Sequence, residues 1–165
     1  MKKTWIILSL VAVVAIAVTI YALWPKTIAP SEVSSANDLP LLTVLQTNGE
    51  SITIRDLEGK VVLIFFNPDC DHCQREAKQI SDQKNIFKNH SVYFISIDSM
   101  TQIERFALEY KLTDPNFHFA QVDGLAVYNT VGPLPSVPAI FIYNNKRFIK
   151  KLEGEAKLEE IMKYL

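Results

Sequence analysis

The chain has two cysteines, Cys70 and Cys73, separated by two residues in the stretch Phe65-Phe66-Asn67-Pro68-Asp69-Cys70-Asp71-His72-Cys73-Gln74-Arg75-Glu76. Two thiols at that spacing can open and close a disulfide within one helical turn, and the thiolate is the form that attacks. Residues 60–66, immediately before them, form an unbroken apolar run of the kind a doubly covered strand shows. Residues 74 to about 85, after them, are polar and helix-competent. A strand that delivers Cys-x-x-Cys to the first turn of a helix is the setting of a redox-active dithiol. Unpaired N–H groups and the positive end of the helix dipole favour an anion at Cys70. Cys70 is therefore the expected attacking sulfur, and Cys73, one turn further in, the resolving one. A structural disulfide, half of a metal site or two unrelated core thiols are the competing readings. A zinc site needs four ligands, and beyond His72 the chain offers only His90 and His118, at no ligand-like spacing. No metal and no organic cofactor is implied, because the dithiol is itself the redox group.

The elements that position these thiols follow from the pattern around them. Residues 41–45 and 51–54 flank Asn48-Gly49, a hairpin signal. Residues 91–97 read as a second buried strand, ending at Asp98. Thr101 and Glu104 fit a capping box ahead of Ile103, Phe106, Ala107 and Tyr110 at helical spacing. Residues 117–121 alternate like a short strand, and residues 123–131 suit a short helix. Two strands, 139–143 and 147–152, are expected around a turn at Asn144-Asn145. Residues 155–165 should close the domain as a helix, with Leu158, Ile161, Met162 and Leu165 on one face. That order predicts one α/β domain, a single sheet covered by helices on both faces.

Ahead of this domain, residues 4–24 carry no charge and are long enough as a helix to cross about 30 Å of hydrocarbon. Lys2 and Lys3 precede them, so the N-terminus is expected in the cytoplasm. A cleaved signal peptide is the alternative, but the apolar run exceeds the usual length of about 7–15 residues for such a core. The division expected is a transmembrane anchor at 1–24, a flexible linker rich in Pro, Ser and Thr at 25–38, and a soluble domain at 39–165. The chain has 18 acidic against 17 basic residues, and two of the basic ones precede the apolar segment. That balance gives no reason to expect nucleic acid as a partner. A domain held across the membrane sits in an oxidising compartment, where other dithiols can turn a Cys-x-x-Cys pair over.

The soluble part, over residues 39–165, resembles the thioredoxin-fold TlpA/ResA-like group of membrane-anchored thiol-disulfide oxidoreductases. The likeness rests on the N-terminal hairpin, on Gly59-Lys60-Val61-Val62-Leu63 leading into the cysteines, on Ile95-Ser96-Ile97-Asp98, and on Val137-Pro138 before a strand. It implies a thioredoxin-like fold: a central mixed sheet flanked by helices. It also implies a cis bond at Val137-Pro138 facing the dithiol, with the Val137 backbone able to pair with an extended substrate segment. Glu76, three residues beyond Cys73, matches a partly buried glutamate that handles the proton of the inner cysteine in ResA-like reductases. The chain departs from the group in having Asp69 where tryptophan is usual and Asp71-His72 between the cysteines. His72, as in isomerases with Cys-x-His-Cys, would border the substrate and stabilise the Cys70 thiolate, while Asp69 and Asp71 would oppose it.

The resemblance implies catalytic roles for Cys70, Cys73 and Glu76, and a substrate-binding role for Val137, Pro138 and His72. The implied activity is reduction of protein disulfides on the extracytoplasmic, periplasmic side of a bacterial inner membrane by a single-pass protein. Its partners would be disulfide-containing substrate proteins and a membrane dithiol electron donor, in cytochrome c maturation or general disulfide repair. Two alternatives share the fold. A thiol peroxidase needs threonine or serine three residues before the attacking cysteine, where Asn67 stands. A copper-binding chaperone uses Cys-x-x-x-Cys with a distant histidine, for which His118 is available.

Overall fold

In the computed structural model, residues 38–134 and 136–165 are described. The expected membrane anchor at 1–24 and nearly all of the linker lie outside them. No helix among the described residues is long and apolar enough to cross a membrane.

The central strand is β3 (Lys60–Phe65), every residue of which is buried except Lys60. Its apolar run is continuous because both faces are covered, and alternation deals its residues to two cores. Val62, Ile64 and Phe66 enter one core, while Val61, Leu63 and Phe65 enter the other. On one side β3 pairs in parallel with β4 (Ser91–Ser96), which pairs in parallel with β5 (Phe117–Gln121). On the other side it pairs antiparallel with β6 (Ala139–Asn144), followed by β7 (Arg147–Glu153). The hairpin β1 (Thr43–Gln46) and β2 (Ser51–Thr53) joins antiparallel to β5. The seven-stranded order is β2-β1-β5-β4-β3-β6-β7.

The two parallel crossovers run through α1 (Asp71–Asp82) and α2 (Met100–Glu109). Both step the same way along the sheet, so a common handedness puts both helices on one face. Cys73, Ala77 and Ile80 of α1, Ile103 and Phe106 of α2, and Leu158 and Ile161 of α4 (Leu158–Met162) fill that first core. The connection from β5 back to β6 crosses the opposite face through α3 (Gly124–Thr130), where Val127 packs with Leu39, Leu42 and Ile54. Helices on both faces of one mixed sheet, with the hairpin at one edge, are the expected thioredoxin-like arrangement.

Four local expectations change. The cap of α2 is Ser99, whose N–H and hydroxyl both donate to Gln102 Oε1, so the capping frame lies two residues ahead of Thr101. Both Ser99 and Thr101 have a Glu or Gln three residues on, and the chain's exit from β4 selects the earlier. Helix α1 ends at Asp82, short of residue 85, and a 3₁₀ turn, Lys84–Phe87, follows so that Phe87 can be buried. The β6–β7 turn falls at Asn145 and Lys146, both with positive φ, one residue later than expected. The last helix starts at Leu158, not 155, which leaves Gly154, Glu155 and Ala156 as a non-helical strap; Met162 is exposed.

Candidate active site

Phe66, the last residue before the cysteine loop, is anchored in an aromatic cluster. Its ring centroid lies 4.6 Å from that of Phe106, 5.6 Å from Phe94 and 6.1 Å from Phe119. Such pairs stabilise by about 0.5–1.5 kcal/mol each beyond burial. They fix where the chain leaves the core.

Asn67 then uses its polar groups to shape the loop. Its Nδ2 donates to Asp98 Oδ2 (3.1 Å), an oxygen that also accepts from the Ser96 hydroxyl (2.7 Å). Its Oδ1 accepts the Asp69 N–H (2.8 Å), and its carbonyl accepts the Cys70 N–H (3.1 Å). Its own backbone N–H is directed to the Cys73 sulfur. Asn67 was read from sequence only as the residue a peroxidase would not have. Its organising role follows from Ser96 and Asp98, which come from the end of a neighbouring strand.

Cys70 is the N-cap of α1, with extended backbone and no side-chain cap bond. Cys73, two residues into the helix from its first residue, is 2% exposed, and both thiols are free. The Cys70 thiol donates to the Val137 carbonyl at 3.7 Å. The Val137-Pro138 bond is cis, as the resemblance implied. The structure thus brings Cys70, Cys73, Val137 and Pro138 together.

Burial pushes the Cys73 thiol well above the ordinary cysteine range; the Asn67 N–H opposes this, while Cys70 and the charge of Glu76 add to it. Glu76 is 1% exposed, and desolvation raises its carboxyl to about 8. The Ala156 N–H donates to Glu76 Oε1 at 3.0 Å and partly opposes the rise, while the charge of Glu155 assists it. A carboxyl that exchanges its proton near neutrality lies close enough to the inner thiol for their charges to interact.

His72 is placed differently. Its side chain is 62% exposed, and its described polar partners are Glu155 and Arg75, not Cys70. Its Nδ1 lies 2.9 Å from Glu155 Oε2 and 2.7 Å from Arg75 Nη2, donating to the first or accepting from the second according to tautomer. Arg75 Nε and Nη2 donate to the Glu155 carboxylate at 2.7–3.1 Å. These donors, Arg75 first and His72 second, pull Glu155 down to about 2. Glu155 lies 80 residues from Arg75 and was invisible as a site residue. A glycine just beyond β7 was the one local sign that the chain bends there.

His118 stacks on Tyr93, with ring centroids 4.5 Å apart, and Tyr93 packs in the second core while Cys73 packs in the first. The sheet therefore separates His118 from the inner thiol. Among the described residues no group of three or more His, Cys, Asp or Glu side chains could hold a metal. A cavity of about 320 Å³ opens beside Val137 and Asn67, lined mainly by apolar side chains including Phe65, Ile95, Val127 and Leu134, with exposed Ile97 and Tyr128 on its rim.

A paired dithiol capping a helix, set under a cis-proline loop on a thioredoxin-like sheet, defines a thiol-disulfide oxidoreductase. The chain belongs to the AhpC/TSA family, whose sequence model matches residues 36–152. It is 29% identical, over 99% of its length and 96% of the relative's, to the thiol-disulfide oxidoreductase ResA of Halalkalibacterium halodurans. The ResA protein of Bacillus subtilis is 26% identical, with 88% of this chain and 82% of that one covered. Among solved structures, a secreted disulfide oxidoreductase of Mycobacterium tuberculosis homologous to E. coli DsbE superposes with a TM-score of 0.61 at 19% identity, covering 75% of this chain and 93% of that one. Copper-bound ScoI of Arabidopsis thaliana superposes at 0.60 and 14% identity, covering 76% and 93%. At these identities both structures speak to the fold alone.

Proposed function

We propose that the protein is a membrane-tethered reductase of protein disulfides, working on the extracytoplasmic side of a bacterial inner membrane through Cys70 and Cys73. The observation that carries this reading is the stacking of roles around α1. The half-exposed Cys70 thiol meets the Val137 carbonyl, and the buried Cys73 thiol sits behind it with the proton-accepting Glu76 carboxyl nearby. The tether is supported by the uncharged residues 4–24 behind Lys2 and Lys3.

The Cys70 thiolate attacks one sulfur of a substrate disulfide, expelling the other sulfur as a thiolate that takes a proton from water. A mixed disulfide between Cys70 and the substrate results. The buried Cys73 thiol passes its proton to ionised Glu76, and the Cys73 thiolate attacks the Cys70 sulfur. The second substrate sulfur leaves as a thiolate and takes up the proton that Glu76 had accepted, so the substrate gains two electrons and two protons and the protein ends with a Cys70–Cys73 disulfide. A membrane dithiol carrier then reduces that disulfide again. Val137 and Pro138 would hold the substrate backbone, and His72 would border it on the outer turn of α1. Ile97 and Tyr128, exposed beside the cavity, suit a polypeptide substrate.

Trapping in cells tests the reading. Cys73→Ala should accumulate partners disulfide-linked to Cys70, and Cys70→Ala should accumulate none. Absence of adducts from both variants, together with failure of the purified protein to reduce insulin disulfides, would overturn it.

A further inference from the structure

Residues 154–156 link three parts of the site that are far apart in sequence. The Gly154 N–H donates to the Pro138 carbonyl at 2.9 Å, tying the strap to the cis-proline loop. The Ala156 N–H donates to Glu76 Oε1 at 3.0 Å, on the buried side of α1. Between them the Glu155 carboxylate grips Arg75 and His72 on the exposed side of the same helix. Gly154 has φ of +75°, a conformation glycine takes without strain, which lets the chain turn sharply from β7 across the helix. Ala156 packs against the edge of the first core, while Glu155 is held to α1 through its ion pair.

We propose that Glu155 is a positioning residue: by clasping Arg75 and His72 it keeps the Gly154–Ala156 strap closed over Glu76 and shields that carboxyl from water. This rests on the reading of Glu76 as the proton acceptor for Cys73. The groups that act on Glu76 are few. The Ala156 N–H and the Glu155 charge act on it from the strap, its own charge acts on Cys73 of the same helix, and Glu160 of α4 is engaged instead by Lys163 and Tyr164. Arg75 and His72 face outward to Glu155.

Opening the clasp acts on Glu76 in one direction. Glu155→Gln removes a nearby negative charge and loosens the strap, and both changes favour ionised Glu76. The lost Ala156 hydrogen bond acts the other way, but desolvation is the larger influence on this carboxyl. A Glu76 that ionises lower is a weaker base for the Cys73 proton.

The test uses the full chain with its dithiol reduced, carbon-13 NMR titration of Glu76 and amide hydrogen exchange at Ala156. Glu155→Gln should lower the Glu76 midpoint by about one pH unit, a tenfold change in its proton affinity. It should also speed exchange of the Ala156 amide. Arg75→Gln, which opens the clasp but keeps the Glu155 charge, should speed that exchange as well. The pH profile of mixed-disulfide resolution in Glu155→Gln should move with the Glu76 midpoint. Unchanged Ala156 exchange in both variants, or an unchanged Glu76 midpoint in Glu155→Gln, overturns the proposal. Glu76→Gln separates the two readings. If it leaves the pH profile of resolution untouched, Glu76 is not the proton acceptor; if it flattens that profile while Glu155→Gln does not move it, only the strap's role fails.

Discussion

Glu76, on the buried side of α1, and Glu155, on the strap against its exposed side, ionise in opposite directions. Glu76 has one backbone N–H and an apolar surround, and its carboxyl rises to about 8. Glu155 has an arginine, a histidine and solvent, and falls to about 2. The side chains are chemically identical. The difference teaches that an acid's role at this site is set by which face of α1 it meets. Burial without a cation raises a carboxyl, and pairing with cations at the surface lowers it.

The widest separation of the two faces should come from the sulfurs themselves. Cys70→Ser should abolish insulin reduction to the background of added dithiol, because a serine hydroxyl is not a nucleophile toward disulfides at neutral pH. Cys73→Ser should instead permit one attack and stop at the mixed disulfide, read by mass on a non-reducing gel.

Glu76 should dominate the pH dependence of stability. Its proton is bound in the folded protein up to about pH 8 but lost from the unfolded chain near 4.5, so its contribution is complete below the lower value and lost as pH rises through the upper one. Denaturant melts should therefore show stability falling between those limits, by about 5 kcal/mol at most. Glu76→Gln should remove that slope and make the protein more stable than wild type at pH 9. An unchanged slope would mean that Glu76 is not desolvated. One turn further along the buried face, Ile80→Val should cost about 1 kcal/mol in the same melts without changing the pH slope.

The smallest effect belongs to Glu155. Its depressed carboxyl contributes above about pH 4.5, and the contribution is lost as pH falls toward 2. Raising salt to about 1 M shortens the screening length to about 3 Å, so the Glu155 midpoint should climb toward its ordinary value. Any movement of Glu76 under the same salt should be downward and smaller, following strap opening. Equal salt sensitivity of the two would erase the distinction between a buried and a paired acid.

Much of the site was legible along the chain because it is local. Cys70, Cys73 and Glu76 lie within seven residues, and the apolar run before them and polar run after them state the strand and helix. Val137-Pro138 was legible through the resemblance, from a proline set directly ahead of a strand. The capping frame of α2 and the length of the last helix were less so. The capping frame had two local solutions, at Ser99 and Thr101, and the last helix begins only at Leu158 because residues 154–156 are drawn to Pro138 and Glu76 by long-range hydrogen bonds.

By itself, then, the sequence determined the dithiol, the buried strand ahead of it and the helix that carries it, since periodicity and spacing act between near neighbours, while the mixed sheet was implied by the resemblance. Only the tertiary structure decided that His72 turns to Glu155, that Asn67 is locked by Ser96 and Asp98, and that Ala156 reaches Glu76. The physical reason is that hydrogen bonds and desolvation depend on distances in space. Residues as far as 83 positions apart acquire those distances when β4 and β7 take their places in the sheet.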